Sequence, residues 1–239
     1  MTLAETSGLL ALNLILSLAA MAGLWALSRR WTGIGFIDAA WPTTMAALAG
    51  ASFLLTDGDP VRKGLLLWLV VIWAAPQAWR RLSGGARREA DGRYSAVARR
   101  VATERGWSRD RTELLLFFLP QGALAWLVAL PVQLGPVAFS PAVGWLGWAG
   151  AVLAVAGIGL EGVGSLKTHS PLAAAPAGRV RRWLRRPEYL GDLAVWWGLF
   201  LIAAETGPGR ASLMGPIFLT FVLAHWAQTE NPRRERDGG

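Results

Sequence analysis

The chain has 239 residues, 53% of them apolar, with 14 Trp, no Cys and a formal charge of +8. A soluble chain is about 45–50% apolar by a count that already includes Gly, whereas here 28 Gly come on top of the 53%. The aromatics and the low charged fraction exclude disorder, the missing Cys excludes thiol nucleophiles and disulfides, and a basic, Trp-rich, apolar chain points to a multi-span membrane protein rather than a nucleic-acid binder.

A helix needs roughly 20 mostly apolar residues to cross a bilayer. In chain order the apolar runs are Gly8–Ser28, Gly33–Leu55, Gly64–Trp79, Glu113–Leu134, Val143–Leu160, Leu193–Ala204 and Ser212–Gln228. The first is too long, and its leading residues too acidic, for a cleaved signal peptide. The sixth is short, and crosses only if it borrows the turn carrying Tyr189–Asp192. The expected architecture is therefore an all-α polytopic bundle of about seven spans forming one membrane domain over 1–239. Between the spans lie a basic loop at 80–112, a second polar loop at 161–192 and a polar tail at 229–239.

Charge orients this arrangement. Alternate connections collect +11 on one side and −1 on the other, with Asp38 and Glu113 supplying −2 in the spans. Basic connections stay in the cytoplasm, which puts the N-terminus outside and the C-terminus inside, in a cell (inner or plasma) membrane. Of the 24 basic residues 22 are Arg, suited to anionic lipid or to a cofactor phosphate.

Ionisable groups within spans are the first candidates for chemistry, because burying one in lipid costs at least ~2.5 kcal/mol. Asp38 lies early in the second run, where pairing with Arg29 or Arg30 is the structural alternative. Gln121 sits mid-span beside Pro120, a helix breaker; it is read as an inter-helix hydrogen-bonding group or a ligand contact. His169 and His225 are isolated, which argues against a metal site. Gly157-Ile-Gly-Leu-Glu-Gly162 ends an apolar helix rather than following a strand, so helix packing by small residues is expected there. The densest polar constellation is Glu161 together with the stretch from Arg179 to Asp192. There an Arg cluster, a Tyr hydroxyl and a Gly precede an apolar helix and could cradle a phosphate, while Asp192 also reads as a plain cap.

Arg185-Arg-Pro-Glu-Tyr-Leu-Gly-Asp192 followed by Trp196-Trp197-Gly198 resembles the Arg-His-Pro-Asn-Tyr-Phe-Gly-Glu…Trp-Trp-Gly signature of the steroid 5-alpha-reductase-like membrane family, specifically its bacterial branch. Ile37-Asp38…Trp41, Trp79-Arg80-Arg81-Leu82 with Asp91-Gly-Arg-Tyr94, Phe118-Leu-Pro-Gln121 and Leu130-Pro131 are similar to further elements of that branch, in the same order. Glu161 falls where the family has the Glu of Glu-x-x-Ala-Asp-x-Gln. The resemblance implies a multi-helix membrane fold and NADPH-dependent reduction of a double bond conjugated to a ketone in a hydrophobic small molecule. It implies cofactor contacts from Glu161, Tyr189, Gly191 and Asp192, with Arg185 and Arg186 on the phosphates. Asp91, Arg93 and Tyr94 are further candidates, or order the large cytoplasmic loop.

This chain departs from the family pattern at Ser165, Lys167, Glu188 and Asp192. Two other readings follow. A membrane methyltransferase of the isoprenylcysteine carboxyl methyltransferase type has a similar Arg-His-Pro-x-Tyr-x-Gly turn, faintly echoed later by Glu230-Asn-Pro232. A non-catalytic protein with a basic, lipid-contacting cytoplasmic face would tolerate all four departures. Membrane lipids are expected partners on every reading.

Overall fold

The computed structural model describes residues 1–30, 35–139, 141–166 and 187–229, and among them the chain is helical with no strand. Helix α1 spans Leu3–Ser28 and opens on a reciprocal cap. Thr2 Oγ1 accepts from the Glu5 amide, and the Glu5 carboxylate accepts from the Thr2 amide at 2.6 Å. This satisfies two orphan donors of the first turn, so the helix begins five residues before the apolar run does. Helix α2 is Ile37–Leu55 and α3 is Pro60–Leu82, the latter capped by Asp59 with Pro60 at its first position.

The stretch read from sequence as a basic loop is helical. Helix α4 covers Gly84–Arg105 and stops at Gly106, whose φ of 65° is the left-handed conformation that ends a helix at low cost in glycine. A short α5, Arg109–Glu113, follows. It runs into a π turn at Leu114–Phe118 and then α6 at Leu119–Val128 and α7 at Leu130–Leu134. Sequence reasoning put the break of this segment at Pro120. The π turn absorbs that proline, because the wider turn needs no donor from its missing N–H. The bend, 56°, lies instead at Ala129–Leu130, just ahead of Pro131.

Helix α8 is Trp145–Leu166, α9 is Pro187–Ala204, α10 is Gly207–Arg210 and α11 is Met214–Thr229. The sixth apolar run does incorporate Tyr189–Asp192, as its length required. Three helices, Leu3–Ser28, Pro60–Leu82 and Trp145–Gly162, are long and apolar enough to cross a membrane, and the bent Arg109–Val128 and Leu130–Val137 pair makes a fourth if it counts as one span. Helices α2 and α9, with 19 and 18 residues, are long enough but not apolar enough, each carrying acidic side chains, and α11 is too short at 16.

The tightest packing joins α8 to α9. Glycines seven residues apart on each helix meet in pairs, Gly150 with Gly198 and Gly157 with Gly191. A Cβ at Gly198 would lie 2.5 Å from the Gly150 carbonyl oxygen, and one at Gly157 would lie 2.7 Å from that of Gly191. Only hydrogens let the backbones approach so closely. Gly159 and Gly162, the rest of the glycine cluster, face open space. Around this hairpin the core fills with Trp73, Val195, Trp196, Leu199 and Ile202, and Trp73 meets Trp196 edge-on at 5.4 Å.

A buried ion pair fastens the end of α3 farthest from Arg80. Arg62, with no exposed side-chain surface, donates to Pro141 O (2.7 Å) and to Glu205 Oε2 (3.4 Å). The Glu205 carboxylate also accepts from the Gly144 and Gly147 amides, capping the start of α8. Gly198→Ala and Gly157→Ala should each lower stability in detergent by roughly 1–3 kcal/mol through overpacking, whereas Gly159→Ala should be neutral or mildly stabilising. Thermal unfolding followed by circular dichroism checks both.

Candidate functional site

The last two turns of α3 carry a polar stripe through an otherwise apolar helix. Trp73, Gln77 and Arg80 stand at i, i+4 and i+7, hence on one face, and that face meets α8 and α9. The glycine pair Gly157–Gly191 brings Glu161 of α8 against Asp192 of α9, since a Cβ at Gly191 would sit 3.0 Å from that of Glu161. Both carboxylates are held from α3. Gln77 Nε2 donates to Glu161 Oε2 at 3.2 Å and to Asp192 Oδ1 at 3.0 Å. Trp73 Nε1 donates to the same Asp192 oxygen at 2.9 Å, and Arg80 Nη2 reaches Glu161 Oε1 at 2.7 Å. Glu161 is 6% exposed while the Arg80 side chain is 40% exposed, so the cluster is buried with one charged group at its mouth.

Asp192 therefore does not cap its helix. It lies inside α9, which begins at Pro187, and its acceptor oxygen faces side-chain donors from another helix. Glu161 likewise lies within α8 rather than in a loop after it. Tyr189, half-buried in the first turn of α9, packs on the main core. The exposed Glu188 stands next to it. Arg185, Arg186 and Lys167 lie outside the described residues, as do the side chains of Ser165 and Asp91.

A second constellation adjoins the first through the next residue of α3. Arg81 Nη1 donates to the Asp38 carbonyl oxygen at 2.9 Å. The Asp38 carboxylate accepts from the Tyr94 hydroxyl at 2.6 Å and from Arg93 Nη2 at 3.2 Å. The partner expected from sequence is thus replaced: Arg29 pairs with Asp110 at 2.9 Å, and the groups that reach Asp38 come from α4, 55 and 56 residues away. Tyr94 also meets Phe117 edge-on at 5.2 Å, so one residue docks α4 on the bundle by both ring and hydroxyl. Burial, and then the adjacent Asp38 carboxylate, push the Tyr94 phenol above its ordinary value. It is a neutral hydrogen-bond donor throughout the physiological range.

Gln121 does not make the expected inter-helix hydrogen bond. It is half-buried with no hydrogen-bond partner among the described residues. The bond at that level comes from its neighbour, whose Gly122 carbonyl accepts from Ser17 Oγ at 2.7 Å across α1 and α6. Sequence reasoning missed Gln77 and Trp73. Their signal was present, as an amide within an apolar run spaced four residues from an indole and three from an arginine.

An all-helical bundle with three helices long and apolar enough to cross a membrane, and a carboxylate pair held near the end of α3, defines a class of helical protein consistent with membrane association. Within that class, residues 24–237 match the family model described as a protein of unknown function (DUF1295), and the chain belongs to that family. No curated protein and no solved structure matches it.

Gln77→Leu removes the shared donor of the Glu161 and Asp192 carboxylates. It should lower stability by about 1–3 kcal/mol, the penalty for leaving a buried polar group unmatched, as a shift in the detergent melting curve. Raising pH should ionise Tyr94 only well above the ordinary tyrosine value near 10. Because its folded-state value is the raised one, its contribution to α4 docking persists below that pH and disappears above it. Tyrosinate absorbance of the wild type against Tyr94→Phe, a comparison of two tyrosines with one, reads this directly.

Proposed function

We propose that this protein is a membrane-embedded reductase that uses NADPH to reduce a lipid-soluble enone, with its cofactor site on the cytoplasmic face. The observation that carries the reading is the convergence of Glu161 and Asp192, from two different helices, on Gln77 and Arg80. Both carboxylates are among the residues that the steroid 5-alpha-reductase-like resemblance singles out, with Tyr189, Gly191, Arg185 and Arg186.

The chemistry of the donor set fits a dinucleotide in part. Carboxylates accept hydrogen bonds from ribose hydroxyls and from a carboxamide, while Arg80 and Arg81 supply positive charge for phosphate. Arg185 and Arg186, which precede α9 in sequence, are the further candidates for the phosphate contacts. When bound, NADPH supplies a hydride to the β carbon of the conjugated system. The α carbon would take up the balancing proton from solvent, because the single hydroxyl hydrogen of Tyr94 is committed to Asp38 and serves to hold α4 in place. Arg80 and Arg81, adjacent on α3, link the Glu161–Asp192 cluster to the Asp38–Tyr94 contact.

In this reading the chain crosses the cell membrane seven times, N-terminus outside and C-terminus in the cytoplasm. The +11 against −1 distribution of connection charge supports that orientation. Helices α2, α9 and α11 cross as short spans, with local bilayer thinning at a modest energetic cost.

Fluorescence titration of the detergent-purified protein should show saturable NADPH binding, weakened at least tenfold by Arg185→Ala with Arg186→Ala and by Glu161→Gln. Saturable S-adenosylmethionine binding without NADPH binding would transfer the site to a methyltransferase; binding of neither would leave a lipid-contacting protein without catalysis. The absence of native Cys makes topology readable by single-cysteine variants. An impermeant maleimide should label Gly207→Cys on intact cells and Thr103→Cys only after lysis.

A further inference from the structure

The acidic residues around the α4–α5 junction are all engaged. Glu104 pairs with Arg100 at 2.8 Å, Asp110 with Arg29 at 2.9 Å and Glu113 with Arg109 at 2.6 Å. Two exposed arginines, Arg105 and Arg111, have no carboxylate partner among the described residues. Instead both guanidinium groups stack on one indole: Arg105 lies 5.1 Å and Arg111 4.7 Å from the Trp107 ring centroid. Stacking occupies the face of a guanidinium and leaves its N–H edge free to donate. Two like charges gathered on one ring, with every nearby acid committed elsewhere, form a site complementary to an anion.

Its position indicates which anion. Trp107 immediately precedes the bent apolar segment that starts at Arg109 and is long enough to span a bilayer. One turn beyond Arg111, Leu115 is 38% exposed, so apolar surface begins where the charged pair ends. Tryptophan belongs at the boundary between headgroups and acyl chains, and arginines at that depth meet lipid phosphates rather than water alone. Arg109 is not part of the site: its bonds to Glu113 and Ser95 tie α5 to α4 and hold the junction in shape.

We propose that Arg105, Trp107 and Arg111 form a docking site for the headgroup of an anionic phospholipid, with Leu115 against its acyl chain. The site lies apart from the Glu161–Asp192 cluster and does not depend on the reductase reading. It fixes the depth of α4 at the membrane surface, and with it the helix that carries Tyr94.

The test uses the full-length protein in detergent with equal mole fractions of phosphatidylglycerol and phosphatidylcholine, the bound lipid being counted by native mass spectrometry. The wild type should retain phosphatidylglycerol preferentially. Each arginine near the surface contributes about 1 kcal/mol, so Arg105→Gln with Arg111→Gln should reduce that preference by roughly tenfold or more. The charge-matched pair Lys63→Gln with Arg210→Gln, at the other end of the bundle, should leave it unchanged. Equal retention of both lipids by the wild type overturns the proposal, as does an unchanged preference in the Arg105, Arg111 variant or an equal loss in the control pair. Should the variant fail to fold, the wild type alone decides the matter: the preference must fall as ionic strength rises, and its persistence in high salt overturns the site.

Discussion

Backbone contact between α8 and α9 is the constraint on which the rest of this structure depends. Without a hydrophobic effect to drive helices together in lipid, close association relies on dispersion and on the absence of side chains at the contact. Gly150 and Gly157 on one helix face Gly198 and Gly191 on the other, and each pair would be driven apart by a single methyl group. Two contacts seven residues apart determine both the spacing and the axial register of the hairpin. That register places Glu161 opposite Gly191 and so beside Asp192; a shift of one residue would send the carboxylates to different faces.

A buried and a half-buried carboxylate side by side repel each other and lose hydration, so the arrangement persists only if other groups compensate. The compensation comes from α3 alone among the described residues: one amide shared by both acids, one indole N–H and one guanidinium. This concentration on a single helix face has a functional consequence. Arg80 turns toward Glu161 while Arg81, the next residue, turns toward the Asp38 backbone, so the C-terminal turn of α3 couples the carboxylate cluster to the α2–α4 contact. At its other end α3 is fastened by Arg62 and Glu205, so the helix carries an ion pair at each end.

Two members of the cluster, Glu161 and Asp192, were legible in the sequence, for a reason that can be named. Glu161, Tyr189, Gly191 and Asp192 could be singled out because polar groups at the edge of apolar runs demand partners, and because their motif resembles one in a known family. The helical periodicity of α3 held a further clue in Trp73 and Gln77, which the search for ionisable residues passed over because neither carries a charge. Local rules misjudged both partners and break points. Arg29 and Arg30 were the nearest cations to Asp38 in sequence, yet Asp38 is served by Arg93 and Tyr94, because the folding back of α4 along Phe117 brings those two closer. Pro120 looked like a breaker, yet a π turn accommodates it and the chain bends before Pro131.

By itself the sequence determined the helical content and the apolar runs, since these follow from composition and from period along a single segment. The caps at Thr2, Asp59 and Gly106 are equally local in their chemistry, although the apolar runs alone placed the helix starts at Gly8 and Gly64 and read the stretch before Gly106 as a loop. Only the tertiary structure decided that Gln77 bridges two acids 84 and 115 residues away, that a basic stretch becomes a docked helix, and that Arg105 and Arg111 share one indole without a counter-ion. Those outcomes depend on the distance and register between helices, which arise from packing at the glycine contacts and from competition among many nearby charges. No window of sequence contains either quantity.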